Sequence, residues 1–199
     1  MKNGTVYLGL IITSLLTWPL LANELSSDGH FTIETPPELT SQQAEDFYRE
    51  LLPQMKSALS LSEHNEYAEY TDWRRFNKFP YLSLQHGNRF LNNYGNDIAK
   101  DYLALAAGEK MPIGSILAKD SFTVTLDNEI FPGAFFIMEK LSEGLSPGTA
   151  DWRYLMILPD SSVLGDLTGV NAASMDFCHA CHTNVSEQDY VFKIPKDAL

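Results

Sequence analysis

Cysteine is scarce in this sequence, since only Cys178 and Cys181 occur in 199 residues. A disulfide between two residues this close would form a loop too short to restrain much of the unfolded chain. Stabilisation by a cross-link is therefore a poor reason for the pair, and a chemical role for the two sulfur atoms is favoured.

Positive charge is also scarce, because 14 Lys and Arg stand against 26 Asp and Glu and the formal net charge is −12. A surface of this sign repels nucleic acid and anionic membranes. The composition therefore excludes nucleic acid as a partner, and it suits a protein that docks on a basic redox partner protein.

Long hydrophobic runs are limited to one, at residues 6–21. Lys2 precedes this run, and Ala22 follows it before a polar stretch. The run is short for a helix that crosses a bilayer, and its layout matches a secretory signal peptide. We therefore predict a signal peptide at residues 1–22 and a periplasmic protein, with an uncut membrane anchor as the alternative.

The rest of the chain is long enough for one domain and too short for two. Residues 23–72 are predicted to form an extended lead-in and an N-terminal helix. Thr40 and Ser41 can cap this helix, and apolar residues continue at helical spacing to Leu59. Pro53 is expected to kink or divide it.

Residues 73–199 are predicted to form the main domain, in which turn signals separate several runs typical of strands. These runs lie at residues 81–91, 115–126, 134–141 and 152–158. The pattern predicts an α+β fold, mainly an antiparallel β-sheet, with an N-terminal helix, one mid-chain helix and a short C-terminal helix.

The mid-chain helix is predicted over residues 97–107. Asn96 is its expected cap, and Ile98, Tyr102 and Leu105 form the stripe that should be buried.

The two cysteines belong to the motif Cys178-His179-Ala180-Cys181-His182, which has the Cys-x-x-Cys-His spacing of haem c attachment. Residues three apart lie on one face of a helical turn, so both sulfur atoms can reach the vinyl groups of one porphyrin. The adjacent His182 then lies beneath the iron as its axial ligand. We therefore predict one haem c, carried by the short C-terminal helix.

A redox-active dithiol and a partial zinc site are the alternatives for this motif. A dithiol of the thioredoxin type is expected after an early strand, not near the end of the chain. A zinc site needs further ligands, whereas His30, His64 and His86 are scattered without ligand-like spacing.

The position of the motif bears on the sixth iron ligand. Neither Met nor His occurs in the 17 residues after His182. Met55, Met111, Met138 and Met156 lie upstream, and we expect each to fill the core. The sequence thus favours a five-coordinate iron with an open distal face, which binds or activates small molecules.

Several short segments of the strand-rich part occur in a recognisable order and spacing. They are Phe90-Leu91-Asn92-Asn93-Tyr94, Gly114-Ser115-Ile116-Leu117-Ala118-Lys119-Asp120, Phe136-Ile137-Met138-Glu139-Lys140, Asp151-Trp152-Arg153-Tyr154 and Asp189-Tyr190-Val191-Phe192. Together with the Cys-x-x-Cys-His motif they resemble the cytochrome P-460 family, which includes the β-sheet cytochromes c-prime. The resemblance covers residues 73–195.

The resemblance implies a homodimeric antiparallel-sheet protein with a five-coordinate haem c. Some members of the family oxidise hydroxylamine and carry a Lys side chain bonded to the haem rim. The c-prime-like members lack this bond and bind nitric oxide behind apolar side chains. Lys119 matches the position of the bonding Lys.

Hydroxylamine-oxidising members also place a distal carboxylate soon after the Met-containing strand, where it accepts substrate protons. Leu145 aligns with that position here, and Glu143 is two residues away. We therefore expect no haem bond to Lys119. His86 and Arg89 are further candidates for the distal pocket, and no residue is assigned as catalytic.

The sequence predicts an exported monohaem c-type cytochrome that binds or oxidises small nitrogen compounds, such as nitric oxide or hydroxylamine. As an enzyme it would be a haem oxidoreductase of the cytochrome P-460 type. A non-catalytic nitric oxide binding protein and a periplasmic electron carrier are the alternatives.

Overall fold

The computed structural model describes residues 34–199. The predicted signal peptide at residues 1–22 lies outside the described residues, as does most of the predicted lead-in. In the part of the chain that the structure describes, no helix is long and apolar enough to cross a membrane.

The N-terminal helix α1 (Ser41–Leu61) confirms the prediction for this part of the chain. Thr40 caps it, because Gln43 N donates to Thr40 Oγ1 and Thr40 N donates to Gln43 Oε1. Pro53 lies inside α1 and does not divide it. It lies on the exposed side, where a carbonyl that loses its backbone partner can reach water.

Eight antiparallel strands form one sheet within residues 34–199. In chain order they are β1 (Arg74–Arg75), β2 (Tyr81–Ser83), β3 (Arg89–Gly95), β4 (Ile116–Val124), β5 (Ile130–Pro132), β6 (Phe135–Lys140), β7 (Trp152–Ile157) and β8 (Val163–Asp166). The path across the sheet is β1-β3-β4-β6-β7-β8, while β2 pairs with β3 and β5 pairs with β4. A short C-terminal helix, α2 (Asp176–His182), follows the strands. The predicted α+β class is confirmed.

Side chains alternate between the two faces of the sheet, as β7 illustrates. Leu155 belongs to a buried cluster that includes Leu59 of α1. Its neighbour Tyr154 belongs to a cluster that includes Val191 near the C-terminus. One face of the sheet is therefore covered by α1 and the other by α2 and the segment after it.

The predicted mid-chain helix at residues 97–107 is wrong. The segment forms two separate 3₁₀ turns, Asp97–Ala99 and Tyr102–Ala104. Asn96 does cap the first turn, since its side chain accepts a hydrogen bond from a backbone N–H three residues later. Ile98, which was expected to be buried, is 48% exposed.

A distant lysine contacts the carbonyl oxygens of the second turn and the residues after it. Lys193 Nζ donates to the carbonyl oxygens of Tyr102, Leu103 and Leu105 at 2.9, 3.1 and 2.8 Å. In an α-helix these oxygens would accept from backbone N–H groups four residues later. These three contacts hold the second turn and the residues after it against the C-terminal segment, a long-range interaction that local propensity cannot report.

The predicted strand run at residues 81–91 is a hairpin of β2 and β3. The 3₁₀ turn Leu84–His86 lies between the two strands, and Gly87 and Asn88 follow it with φ of 80° and 54°. Gly and Asn tolerate this left-handed backbone, so these two residues can form the turn. The hairpin fixes the position of His86.

Candidate functional site

A cavity of 490 Å³ lies between the sheet and the C-terminal segment. This volume falls in the range of about 300–1,000 Å³ that is usual for ligand pockets. Its walls include apolar side chains of the sheet, such as Leu117, Phe136 and Met138, and Phe192 from the opposite side. The cavity can therefore enclose a largely apolar group.

Helix α2 brings Cys178, Cys181 and His182 to this cavity, and all three line it. The cysteines lie three residues apart on one helix, so both face the same side. Their sulfur atoms are not bonded to each other. Burial raises the pKa of Cys178 to about 12, so its thiol is protonated at neutral pH.

The ring of His182 is held in one orientation. Its Nδ1 lies 2.6 Å from the carbonyl oxygen of Tyr190, and a carbonyl can only accept, so Nδ1 carries the hydrogen. Nε2 therefore keeps its lone pair. Burial, and after it the charge of Lys119, lower the pKa of His182 to about 4. The imidazole is thus neutral, which is the form that binds a metal.

The carbonyl of Tyr190 is itself held by the residue before it. Asp189 Oδ1 accepts from Lys140 Nζ at 2.7 Å, and both side chains are buried. Asp189 Oδ2 accepts from Met111 N at 2.9 Å, and Trp152 Nε1 donates to the carbonyl oxygen of Asp189 at 2.8 Å. This anchoring explains how the tail orients His182.

Lys119 and His86 meet at the cavity wall formed by the sheet. Lys119 Nζ lies 3.4 Å from His86 Nε2, and His86 Nδ1 lies 2.9 Å from Ser83 Oγ. The ring of His86 also packs edge-on against Phe136, with 5.1 Å between the centroids. Burial lowers the pKa of Lys119 to about 8. Part of its surface stays accessible because it lines the cavity.

Arg89 and Glu143 are not brought to the cavity by this fold. Arg89 lies on β3 away from the lining residues, and its burial lowers its pKa. Glu143 lies on an exposed turn, and Leu145, its neighbour in the aligned distal position, is 69% exposed. Glu139 pairs with Arg153 at 3.2 Å, away from the lining. Among the described residues that line the cavity, none is Asp or Glu.

The methionines divide into two groups. Met55, Met111 and Met156 are buried core residues that do not line the cavity, as expected for packing. Met138 of β6 and Met175, just before α2, do line it. Met175 lies beside the motif on the same side of the cavity, so Met138, on the sheet, is the candidate for an iron ligand opposite α2.

Tyr154 was not predicted as a site residue, but its hydroxyl and its ring both fit a bound group. The hydroxyl of Tyr154 is buried in the cavity wall without a hydrogen-bond partner among the described residues. A buried hydroxyl normally has a partner, so one supplied by a ligand would satisfy it. The ring of Tyr154 lies edge-on to His182, with 5.4 Å between the centroids. Two thiols, a neutral imidazole, apolar walls and this hydroxyl together fit a haem.

Comparison with known proteins agrees with this site. The family model for cytochrome P460 matches residues 63–193, which include every strand, α2 and the residues that hold His182. No curated protein gives a significant match. The family implies a haem cofactor, in agreement with the chemistry of the cavity. The chain therefore belongs to the cytochrome P460 family.

Proposed function

We propose that this protein is an exported monohaem cytochrome that binds or oxidises a small nitrogen compound, nitric oxide or hydroxylamine. Its haem c would be joined to Cys178 and Cys181, with His182 as the axial ligand. The observation that carries the proposal is the hydrogen bond from His182 Nδ1 to the carbonyl of Tyr190. That bond reserves Nε2 for the iron, and it makes the imidazole a stronger ligand.

The haem would supply the iron that binds the nitrogen compound and exchanges electrons with it. The chain's own residues perform the remaining tasks. Tyr190 orients the axial imidazole, and Tyr154 and Phe192 pack edge-on against it at 5.4 and 5.1 Å. Leu117 and Phe136 supply apolar wall on the sheet side of the cavity. An enclosed wall of this kind limits the space beside the haem to a small ligand.

The alternatives rest on different residues. A dedicated electron carrier would be expected to have a sixth protein ligand, for which Met138 is the candidate from the sheet, and the acidic surface would then dock a basic redox partner protein. A non-catalytic nitric oxide binding protein is favoured over an oxidase by the lack of carboxylates among the described lining residues. In that setting a base for hydroxylamine protons would have to be His86 or Lys119.

The first experiment tests the haem itself. The full chain is produced in a host that matures c-type cytochromes, and its haem-linked peroxidase stain is measured on a denaturing, reducing gel. Wild type is expected to stain, whereas Cys178→Ala/Cys181→Ala should not. A wild type without stain would refute the proposal.

The second experiment tests the open coordination site. Ferrous protein is expected to be high-spin and to bind carbon monoxide or nitric oxide directly, and His182→Ala should lose this signature. A low-spin ferrous spectrum would favour the electron carrier. Cell fractionation tests the periplasmic location, and light scattering tests the homodimer that the family resemblance implies.

A further inference from the structure

The charged side chains that line the cavity are basic, whereas the protein as a whole is acidic. The chain carries a net charge of −12, yet the described lining residues include Lys119, Lys193 and His86 and no carboxylate. Apolar walls strengthen such a local field because they exclude water. The cavity therefore attracts negative charge although the surface around it repels it.

The two lysines in the lining differ in what they can offer a ligand. Lys193 Nζ donates to three backbone carbonyl oxygens within 3.1 Å, so all three of its N–H groups are used. Lys119 Nζ has one hydrogen-bond partner among the described residues, His86, at 3.4 Å. Lys119 therefore has donors to spare on the cavity side, and Lys193 does not.

His86 and Ser83 hold this ammonium group in place. A protonated Lys119 can only donate, so His86 Nε2 accepts from it. Nδ1 of the neutral ring then carries the hydrogen and donates to Ser83 Oγ at 2.9 Å. Burial lowers the pKa of Lys119, because the cavity wall disfavours the charged form of the amine. A buried cation of this kind is stabilised by an anion beside it.

We infer that Ser83, His86 and Lys119 form a subsite that selects a small anion with oxygen acceptors, such as nitrite, over neutral ligands of the same cavity. The inference rests on the proposed function, because the anion would be bound beside the haem. The same ammonium could instead pair with a carboxylate of the haem. Comparing variants of Lys119 and Lys193 distinguishes the two cases. The nitrite affinity falls only in the Lys119 variant if the ammonium group binds the added anion, and it falls in neither variant if that group pairs with a haem carboxylate.

The test measures the affinity of the ferric holoprotein at pH 7 for nitrite and for imidazole, a neutral ligand, from the shift of the haem absorption band. In Lys119→Met, the nitrite Kd is expected to rise about 10- to 100-fold, the usual value of a charge-assisted hydrogen bond. The imidazole Kd should change less than about threefold, since it needs no cationic donor. Lys119→Gln, neutral but polar, is the second variant if Lys119→Met does not accumulate.

Lys193→Met is the control for charge, because it removes the same charge from the same cavity without removing an available donor. Its circular dichroism spectrum and its imidazole Kd must match wild type, which verifies that the loss of its three carbonyl contacts leaves the fold and the cavity intact. Its nitrite Kd should change less than about threefold. An equal loss of nitrite affinity in both lysine variants, or none in either, would overturn the subsite. So would a covalent bond between Lys119 and haem. A protein that carries haem and binds imidazole normally, but shows no such difference, refutes only this inference; a protein without haem refutes the proposed function as well.

A vibrational readout separates a donor at the ligand from a distant charge. A hydrogen-bond donor near bound carbon monoxide changes the C–O stretching frequency. Wild type and Lys193→Met should therefore share one frequency, and Lys119→Met should differ. If all three proteins have the same frequency, the ammonium group does not reach the ligand and the subsite is refuted.

Discussion

Asp120 provides a quantitative test of the packing that supports the cavity. It follows Lys119 on β4 but lies on the opposite face of the sheet, and it is 1% exposed. Its carboxylate accepts from Tyr70 Oη at 2.7 Å and from Asn92 Nδ2 at 2.9 Å. Burial nevertheless raises the pKa of Asp120 from 3.8 to about 6, because the hydrogen bonds offset only part of the desolvation.

The sign of the effect on stability follows from proton uptake. Between pH 3.8 and about 6 the folded protein binds a proton at Asp120 that the unfolded chain has released. The contribution of Asp120 to the free energy of unfolding is therefore most favourable below this window and is lost as pH rises through it. At about 1.36 kcal/mol per pKa unit, the loss is about 3 kcal/mol.

Asp120→Asn should remove this pH dependence. The amide resembles the protonated acid, and the hydroxyl of Tyr70 can rotate to accept from it. Urea unfolding is measured from about pH 4 to about pH 8 for the wild type, this variant and Asp127→Asn, which removes a carboxylate from an exposed turn. The stability of Asp120→Asn relative to wild type should rise by about 3 kcal/mol across the range. If the stability of Asp120→Asn relative to wild type stays constant or falls as pH rises, the raised pKa of Asp120 is refuted.

Three further predictions concern the site. Lys140→Met leaves the carboxylate of Asp189 buried without its cation, and urea unfolding should show a loss of about 3–5 kcal/mol; a loss below about 1 kcal/mol would contradict a buried ion pair. Met138→Leu should leave the ferrous spectrum unchanged if the coordination site is open, and conversion from low-spin to high-spin would instead identify a Met ligand. Mass spectrometry of haem peptides should find no peptide containing Lys119, and an intact bridged peptide would make hydroxylamine oxidation the first activity to assay.

The elements predicted from sequence are those whose pattern is long and local. The central strands β4, β6 and β7 have six to nine residues each, so their alternating or apolar runs are visible. The capped helix α1 was visible for the same reason, whereas the seven-residue helix α2 was predicted from the spacing of the Cys-x-x-Cys-His motif. The strands β1, β5 and β8 have two to four residues, which is too short to show a period.

What the sequence could not predict depends on contacts between distant residues. Lys193 Nζ donates to three backbone carbonyls of a segment about 90 residues earlier in the chain. The carbonyl of Tyr190 orients His182 through a backbone atom, which no residue type can reveal. The contact of Lys119 with His86 depends on the pairing of β3 with β4 and on the turn that precedes β3.

The register of β4 decides which chemistry the cavity has. Lys119 and Asp120 are adjacent and ionisable, and the alternation of the strand sends one to the cavity and the other to the face covered by α1. A shift of one residue would exchange them, placing a carboxylate in the cavity and an ammonium beside Tyr70. Phe122 resists this shift, because it is fully buried and stacks on Phe90 at 5.4 Å between centroids. The apolar packing beneath α1 therefore fixes the positive character of the cavity on the other side of the sheet.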